Sequence, residues 1–242
     1  MITHQQKISI GIGAFILLSF FVYLRSDSNT ISLTVHTLQE KEGAYDVSIS
    51  YPQFSGVKRS FNKDIKQTIE TALAEFKKSA GETEEIRKTP AGKGMPEYEY
   101  TFLATWTPSE LSPARISFVL HTAYFTGGAH GGQDMYTFNY DLDKKRSITL
   151  DDIFGSVPNY LSRISEFALN DLRTELRSAM GDGKPDETML ISGTVPTADN
   201  FKHFTLGSDE TITFYFPQYQ VAPYAAGEQS VTMPLSYIIS NQ

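Results

Sequence analysis

The chain has 242 residues, with 21 Lys and Arg against 28 Asp and Glu, no Cys, a formal charge of −7 and a pI near 5.3. That balance excludes a nucleic-acid binder, because phosphate contacts need Lys and Arg gathered on one face. Charge at 20% with 12% aromatic residues excludes a disordered chain, and the absence of Cys excludes disulfides, thiolate metal sites and a cysteine nucleophile.

Ile8 to Leu24 is a run of 17 uncharged residues, 13 of them apolar, interrupted by Ser9, Gly11, Gly13 and Ser19. As a helix it spans about 25 Å against a hydrocarbon core of about 30 Å, and Lys7, Tyr23 and Arg25 can snorkel to close the gap. The run predicts one N-terminal transmembrane helix, an uncleaved anchor over residues 1–25 that meets the membrane through 8–24. A cleaved signal peptide is the competing reading. Ser26 and Ser28 have the spacing for it, but Arg25 and Asp27 crowd the site with charge. The free amino terminus tips a nearly tied positive-inside count toward a cytoplasmic N-terminus. The expected topology is a single-pass cytoplasmic membrane protein with residues 26–242 outside the cytoplasm. That part holds 19 basic and 28 acidic residues, a net charge of −9.

Beyond Thr30 the hydrophobic period becomes two. Ile31, Leu33 and Val35, then Tyr45, Val47, Ile49 and Tyr51, predict two half-buried strands around a charged turn at Glu40 to Gly43. Phe61, Ile65, Ile69, Leu73 and Phe76 predict a helix over 61–80, with Ser60 as N-cap and Gly81 as terminator. Residues 82–97 read as a polar loop, followed by an alternating strand from Tyr98 to Trp106. Two prolines in Thr107 to Pro113 mark the expected internal boundary, giving units 26–107 and 108–242. Ile116 to Phe125 is apolar on both faces and predicts a covered central strand, with Tyr136 to Leu142 as its hairpin partner. Leu161, Ile164, Ala168, Leu172 and Leu176 predict a helix over 158–180. Ile212 to Phe216 and Val231 to Leu235 predict two more strands, the last at an edge because of Pro234. Strands outnumber helices and do not alternate with them, so the expected class is α+β with mostly antiparallel sheets and two main amphipathic helices.

Among motifs, Gly127-Gly128-Ala129-His130-Gly131-Gly132 is the sharpest. Glycines there suit a hairpin loop with His130 bonded to nearby backbone, the favoured reading, or they expose His130 at a binding surface. Phosphate cradling is excluded because no Gly-x-x-x-x-Gly-Lys string occurs. Asp141, Asp143, Asp151 and Asp152 suggest a cation site. Their spacing fits no calcium loop and reads better as a hairpin turn and a helix start, so no metal is expected. His36, His121 and His203 are isolated and read as structural or exposed. Neither His-Glu-x-x-His nor Gly-x-Ser-x-Gly is present. In Phe214 to Gly227, Tyr215, Tyr219 and Tyr224 with Pro217 and Pro223 can either present rigid amphipathic rings to a partner or close the end of a core.

GGAHGG followed by TFNYDLDKKRSITLDDIF, and ITFYFPQYQVAPYAAGE further on, resemble the C-terminal half of a paired domain family. That family occurs in the lysozyme-sensing anti-sigma factor RsiV and in the N-terminal region of the peptidoglycan deacetylase PdaC. YPQFSG and the helix at Phe61 resemble its N-terminal half, so the likeness runs over about residues 31–239. It implies an extracytoplasmic α+β module that binds partners, a PdaC-like unit followed by an RsiV-like one. Such anti-sigma relatives carry a sigma-binding segment before the span, and the deacetylases a catalytic domain after the module. With seven residues before the run and Gln242 at the end, the expectation here is anchor plus binding module alone. The expected function is therefore a non-catalytic module, without a cofactor, for peptidoglycan or a basic protein such as lysozyme. His130, Tyr215, Tyr219 and Tyr224 are the candidate binding residues. The alternatives are an envelope hydrolase using His130 with a carboxylate such as Asp134, and a structural subunit of an envelope complex.

Overall fold

The computed structural model describes residues 21–25, 30–179 and 184–239. The first half is a seven-stranded sheet whose spatial order follows the chain: β1 (Phe21–Arg25), β2 (Thr30–Glu42), β3 (Tyr45–Phe54), β4 (Tyr100–Leu111), β5 (Arg115–Phe125), β6 (Gly132–Asp141) and β7 (Arg146–Ser147). Neighbours are antiparallel except β3 and β4. A parallel pair cannot be closed by a tight turn, and the crossover is supplied by helix α1 (Arg59–Arg87). Phe61, Ile65, Ile69, Ala72, Phe76 and Ala80 form its buried stripe against the sheet.

Of the apolar run at 8–24, residues 8–20 lie outside the described residues. Phe21 to Leu24 are strand, paired with Ile31 to Thr34, so a helix through Leu24 is corrected at those four positions. The pairing gives their N–H and C=O groups partners on what is otherwise the open edge of β2. Among the described residues no helix is long and apolar enough to cross a membrane.

Helix α1 departs from expectation at both ends. Its N-cap is Lys58, not Ser60, and no side chain caps it; the Lys58 N–H instead donates to the Tyr140 hydroxyl at 2.9 Å. The helix also runs through Gly81 to Arg87. An interior glycine costs only about 1 kcal/mol, and the added turn carries Glu84, which accepts two hydrogen bonds from Arg87 and one from the Tyr100 hydroxyl at 3.1 Å. Pro90, rather than Gly81, ends it, by forcing Thr89 into extended backbone.

Arg87 beside Glu84 holds its carboxyl down at about 2, while burial, then the Glu84 hydrogen bond, pushes the Tyr100 phenol up to about 12. A depressed carboxylate stabilises the fold above its ordinary value of 4.5 and loses that contribution as pH falls toward 2. Glu84→Gln is therefore expected to melt below the parent at neutral pH. The gap should close over that acid window when melting is followed by circular dichroism. A gap that persists at the acid end would remove the ion pair as its cause.

Strand β4 continues through Pro108, so the boundary expected at 107/108 falls inside a strand. Beyond Ala104 it pairs only with β5, which leaves that side free of any need for the missing Pro N–H, and a bulge between Pro108 and Glu110 absorbs the irregularity. Strand β5 is the covered central strand, with Ile116 to Leu120 all buried.

The second half is a three-stranded antiparallel sheet, with β9 (Thr211–Phe216) between β8 (Phe204–Leu206) and β10 (Gln229–Pro234), which puts Pro234 on an edge strand as expected. With it go α2 (Leu150–Phe154), α3 (Tyr160–Ala179), α4 (Glu187–Gly193) and α5 (Ser236–Ile239). Helix α3 buries Ile164, Ala168, Leu172 and Leu176. The class is α+β, with one mixed and one antiparallel sheet. Two hydrophobic cores result, one drawn from Ile31 to Leu142 and one from Leu150 to Ile238. They are joined by polar contacts at the back of β5 and β6. Ser117 donates to Asn139 at 2.6 Å, Asn139 donates to the Phe204 carbonyl at 2.8 Å, and the Leu206 N–H donates to Ser117 at 2.8 Å.

Candidate functional site

The glycine-rich loop and the tyrosine segment, far apart in sequence, meet. The His130 and Tyr224 rings lie 4.3 Å apart between centroids, and Tyr219 lies 5.8 Å from Tyr224. One carbonyl fastens the contact. Gly131 accepts from His130 Nδ1 at 2.9 Å and from the Tyr224 hydroxyl at 3.0 Å, which places the proton on Nδ1. Glycine is required where this loop lies against Tyr124: a Cβ at Gly132 would fall 2.6 Å from the Tyr124 ring, and one at Gly131 2.7 Å from its carbonyl oxygen. Tyr219 adopts φ 69° and is 58% exposed, a conformation costly for a bulky side chain, and its ring faces outward beside Tyr224.

Beside this trio runs a groove of 420 Å³, floored by Leu103, Ala123 and Gln133 on the sheet and walled by Tyr124, Gln218 and Tyr224. Leu103 is 45% exposed there. The side-chain amides of Gln133 and Gln218 make no hydrogen bond among the described residues. One step further along the same face of β5, His121 Nε2 lies 3.1 Å from Glu228 and ties the sheet to the segment entering β10.

Of the four candidate residues, the structure brings His130, Tyr219 and Tyr224 together. Tyr215 stands apart on β9, its hydroxyl 3.1 Å from Thr205. Asp134 is also separate from His130. It shares its face of β6 with Phe138 and Tyr140, where Phe61 of α1 packs, whereas His130 lies against the C-terminal segment. Partial desolvation, then the Glu75 carboxylate, raises the Asp134 pKa, and Tyr124 is its hydrogen-bonding neighbour. The other two described histidines, His36 and His203, lie apart from the groove. His36 stacks on Tyr51 at 5.3 Å, and burial lowers the His203 pKa.

The aspartates serve a turn and a helix start. Asp141 accepts from the Asp143 and Lys144 N–H groups, closing the β6–β7 hairpin. Asp152 closes a capping box with Thr149 and takes two bonds from Arg146, which hold its carboxyl well below the usual range. Asp151 accepts from the Tyr160 hydroxyl. A 390 Å³ cleft between the two halves has Asp141 and Asp152 on its wall beside the pair that buried Glu110 makes with the partly exposed Arg115, at 2.6 Å. Among the described residues no cluster of three metal-ligating side chains occurs.

Sequence reasoning missed Leu103, Gln133, Gln218 and the His121–Glu228 pair. Leu103 sits at a position whose alternation with Phe102 and Ala104 marked it as outward-facing, and an apolar residue at such a position was the available signal. The others carry none, because only folding brings them together.

Residues 38–133 match the family model described as deacetylase PdaC, and residues 151–236 the one described as DUF3298, a protein of unknown function. Over 215 residues the chain is 28% identical to the peptidoglycan-N-acetylmuramic acid deacetylase PdaC of Bacillus subtilis, covering 89% of this chain and 43% of that protein. The chain thus spans less than half the length of that relative. Over 204 residues it is 24% identical to the immunogenic protein MPT64 of Mycobacterium tuberculosis, covering 84% of this chain and 80% of that one. A crystal structure of a DUF3298 family member from Bacteroides fragilis shares the fold, with a TM-score of 0.57 at 19% identity over 95% of this chain and 94% of that one. The PdaC match thus lies over the parallel-linked sheet and the DUF3298 match over the second core, so the chain resembles proteins that carry these two domains in tandem.

Proposed function

We propose that this chain is a cell-envelope binding module that captures its ligand without turning it over, held to the membrane by the apolar residues ahead of β1, with residues 26–242 outside the cytoplasm. One observation carries the reading. Two loops from different halves converge on an open groove and, with β6, present ring faces and amides without a partner among the described residues, which are groups that hold a ligand. The hydrolase alternative needs His130 and Asp134 to share a substrate. Here His130 spends Nδ1 on the Gly131 carbonyl, and Asp134 belongs to the α1 side of the sheet. The matches to the PdaC and DUF3298 models and the peptidoglycan named for the Bacillus relative favour a wall component as ligand.

A basic protein such as lysozyme is the second reading, favoured by the charge of −9 on residues 26–242, which accelerates encounter with a cation through a field screened over about 8 Å at physiological salt. Calorimetry of the full chain against soluble peptidoglycan fragments and against lysozyme, at low and moderate salt, tests both. Saturable binding to fragments that ignores salt is the expected result, and affinity for lysozyme that falls with salt would favour the second reading. Release of acetate or of cleaved glycan during the titration would overturn the non-catalytic claim.

A further inference from the structure

The groove beside Tyr224 differs from the rest of the molecule in one respect: its ten lining residues include no Asp, Glu, Lys, Arg or His, in a chain with 49 charged side chains. The 390 Å³ cleft between the halves, by contrast, is walled by paired ions, and a 460 Å³ cavity on the α1 side of the sheet by Glu40, Glu42, Lys77 and Glu84. An ionic ligand would meet no counter-charge in this groove, so its occupant is neutral. That occupant is also polar. Gln133 and Gln218 each offer a donor and an acceptor without a partner among the described residues, and a purely apolar ligand would strip both of water and return nothing.

The rings narrow the choice further. Tyr224 walls the groove, and His130 at 4.3 Å and Tyr219 at 5.8 Å pack against its ring and hold it in place, so a ligand meets a braced aromatic wall. A peptide adding itself as a strand needs an open edge. The strands flooring this groove, β4, β5 and β6, are hydrogen-bonded to one another along it, Leu103 opposite Ala123 and Ala123 opposite Gln133. A sugar ring in chair form meets each demand: its axial C–H groups lie flat on an aromatic face, and its equatorial hydroxyls both donate to and accept from amides. We propose that this groove is a subsite for a neutral pyranose within a glycan chain, stacked on Tyr224 and hydrogen-bonded by Gln133 and Gln218. This rests on the binding-module reading and names the ligand class for it.

The test is calorimetry of the full chain with a neutral tetrasaccharide of N-acetylglucosamine as probe. Saturable binding is expected, changing less than about twofold between about 50 and 500 mM salt, since no charge pair contributes. Tyr224→Ala is expected to weaken it about tenfold or more, as loss of a central aromatic contact does. Because Tyr224 also ties down the loop at Gly131, two further variants keep the proposal falsifiable. Leu103→Glu puts a charge on the groove floor at an exposed position, and Gln218→Ala removes one amide. Both should melt with the parent and bind the probe at least about fivefold more weakly. No saturable binding by the parent, or affinity indifferent to Leu103→Glu and Gln218→Ala, overturns the sugar assignment. Retention of insoluble peptidoglycan or of lysozyme by a protein that ignores the tetrasaccharide overturns it too, while the binding-module reading stands. Failure against all three overturns both.

Discussion

Phe118→Ala is expected to cost about 3–5 kcal/mol of folding stability, the range for emptying a buried aromatic site that cannot collapse. Phe118 is fully buried and lies at the crossing of three elements. Its ring is 5.0 Å from Phe138 on β6, 5.8 Å from Trp106 on β4 and 5.9 Å from Phe54 on β3. Phe54 in turn touches Phe61 of α1, so the cavity would open between a four-strand arc and its helix, with hydrogen-bonded backbone on one side. Backbone ladders hold those strands near 4.8 Å apart and prevent them from closing over the void. For a chain of this length each kcal/mol is worth roughly 2–4 °C, so the melting temperature should fall by about 10 °C. Urea denaturation with an unchanged slope would place the loss in the native state. A cost below about 1.5 kcal/mol would mean that neighbouring rings refill the site, contrary to this packing.

Asn139→Ala is expected to cost about 2–4 kcal/mol, although it deletes little apolar surface. Asn139 is 6% exposed and accepts from Ser117 while donating to the Phe204 carbonyl, one strand of each sheet. Its removal leaves a buried carbonyl and a buried hydroxyl short of a partner, and each such orphan costs about 1–3 kcal/mol. The sign is informative with a second variant. Asn139→Asp keeps the shape, yet turns the donor toward Phe204 into an acceptor and buries a charge, so it should be worse than Ala near neutral pH. These bonds join the two halves at the face where the cores part. Denaturation of Asn139→Ala followed separately by Trp106 fluorescence, which reports on the first core, and by far-ultraviolet dichroism should therefore show transitions that no longer coincide. Coincident transitions with a loss under about 1 kcal/mol would mean that apolar packing, not this polar bridge, docks the halves.

Both expectations rest on residues whose roles differ in how far the sequence discloses them. The strand at Ile116 to Phe125 is apolar in both phases of the alternation, so its double coverage, and with it the burial of Phe118, is readable without coordinates. The stripes of α1 and α3 are equally plain, because a period of 3.6 is a local property of the chain. The end of α1 is not. Gly81 is a locally sensible terminator, and what overrides it is Tyr100 arriving from β4 to bond Glu84. Pro108 likewise signals an interruption that the unpaired side of β4 makes unnecessary. Short elements such as α2, α4 and β8 fall below the length at which a hydrophobic period can be recognised, and tertiary contacts hold them.

The candidate site divides along the same line. From residue types alone, GGAHGG between two strands reads as a loop needing glycine conformations, and the tyrosines with their prolines read as rigid rings awaiting either a core or a partner. Composition settles that thiols are absent, and the motifs carry the family resemblance. Only the fold decides that His130, Tyr219 and Tyr224 are one surface, that Tyr215 is elsewhere, and that Asp134 lies apart from His130. The physical reason is that periodicity and turn chemistry act over a few residues. The Gly131 carbonyl and the Tyr224 hydroxyl, by contrast, are 93 residues apart in the chain, and only the docking of the two cores sets the distance between them.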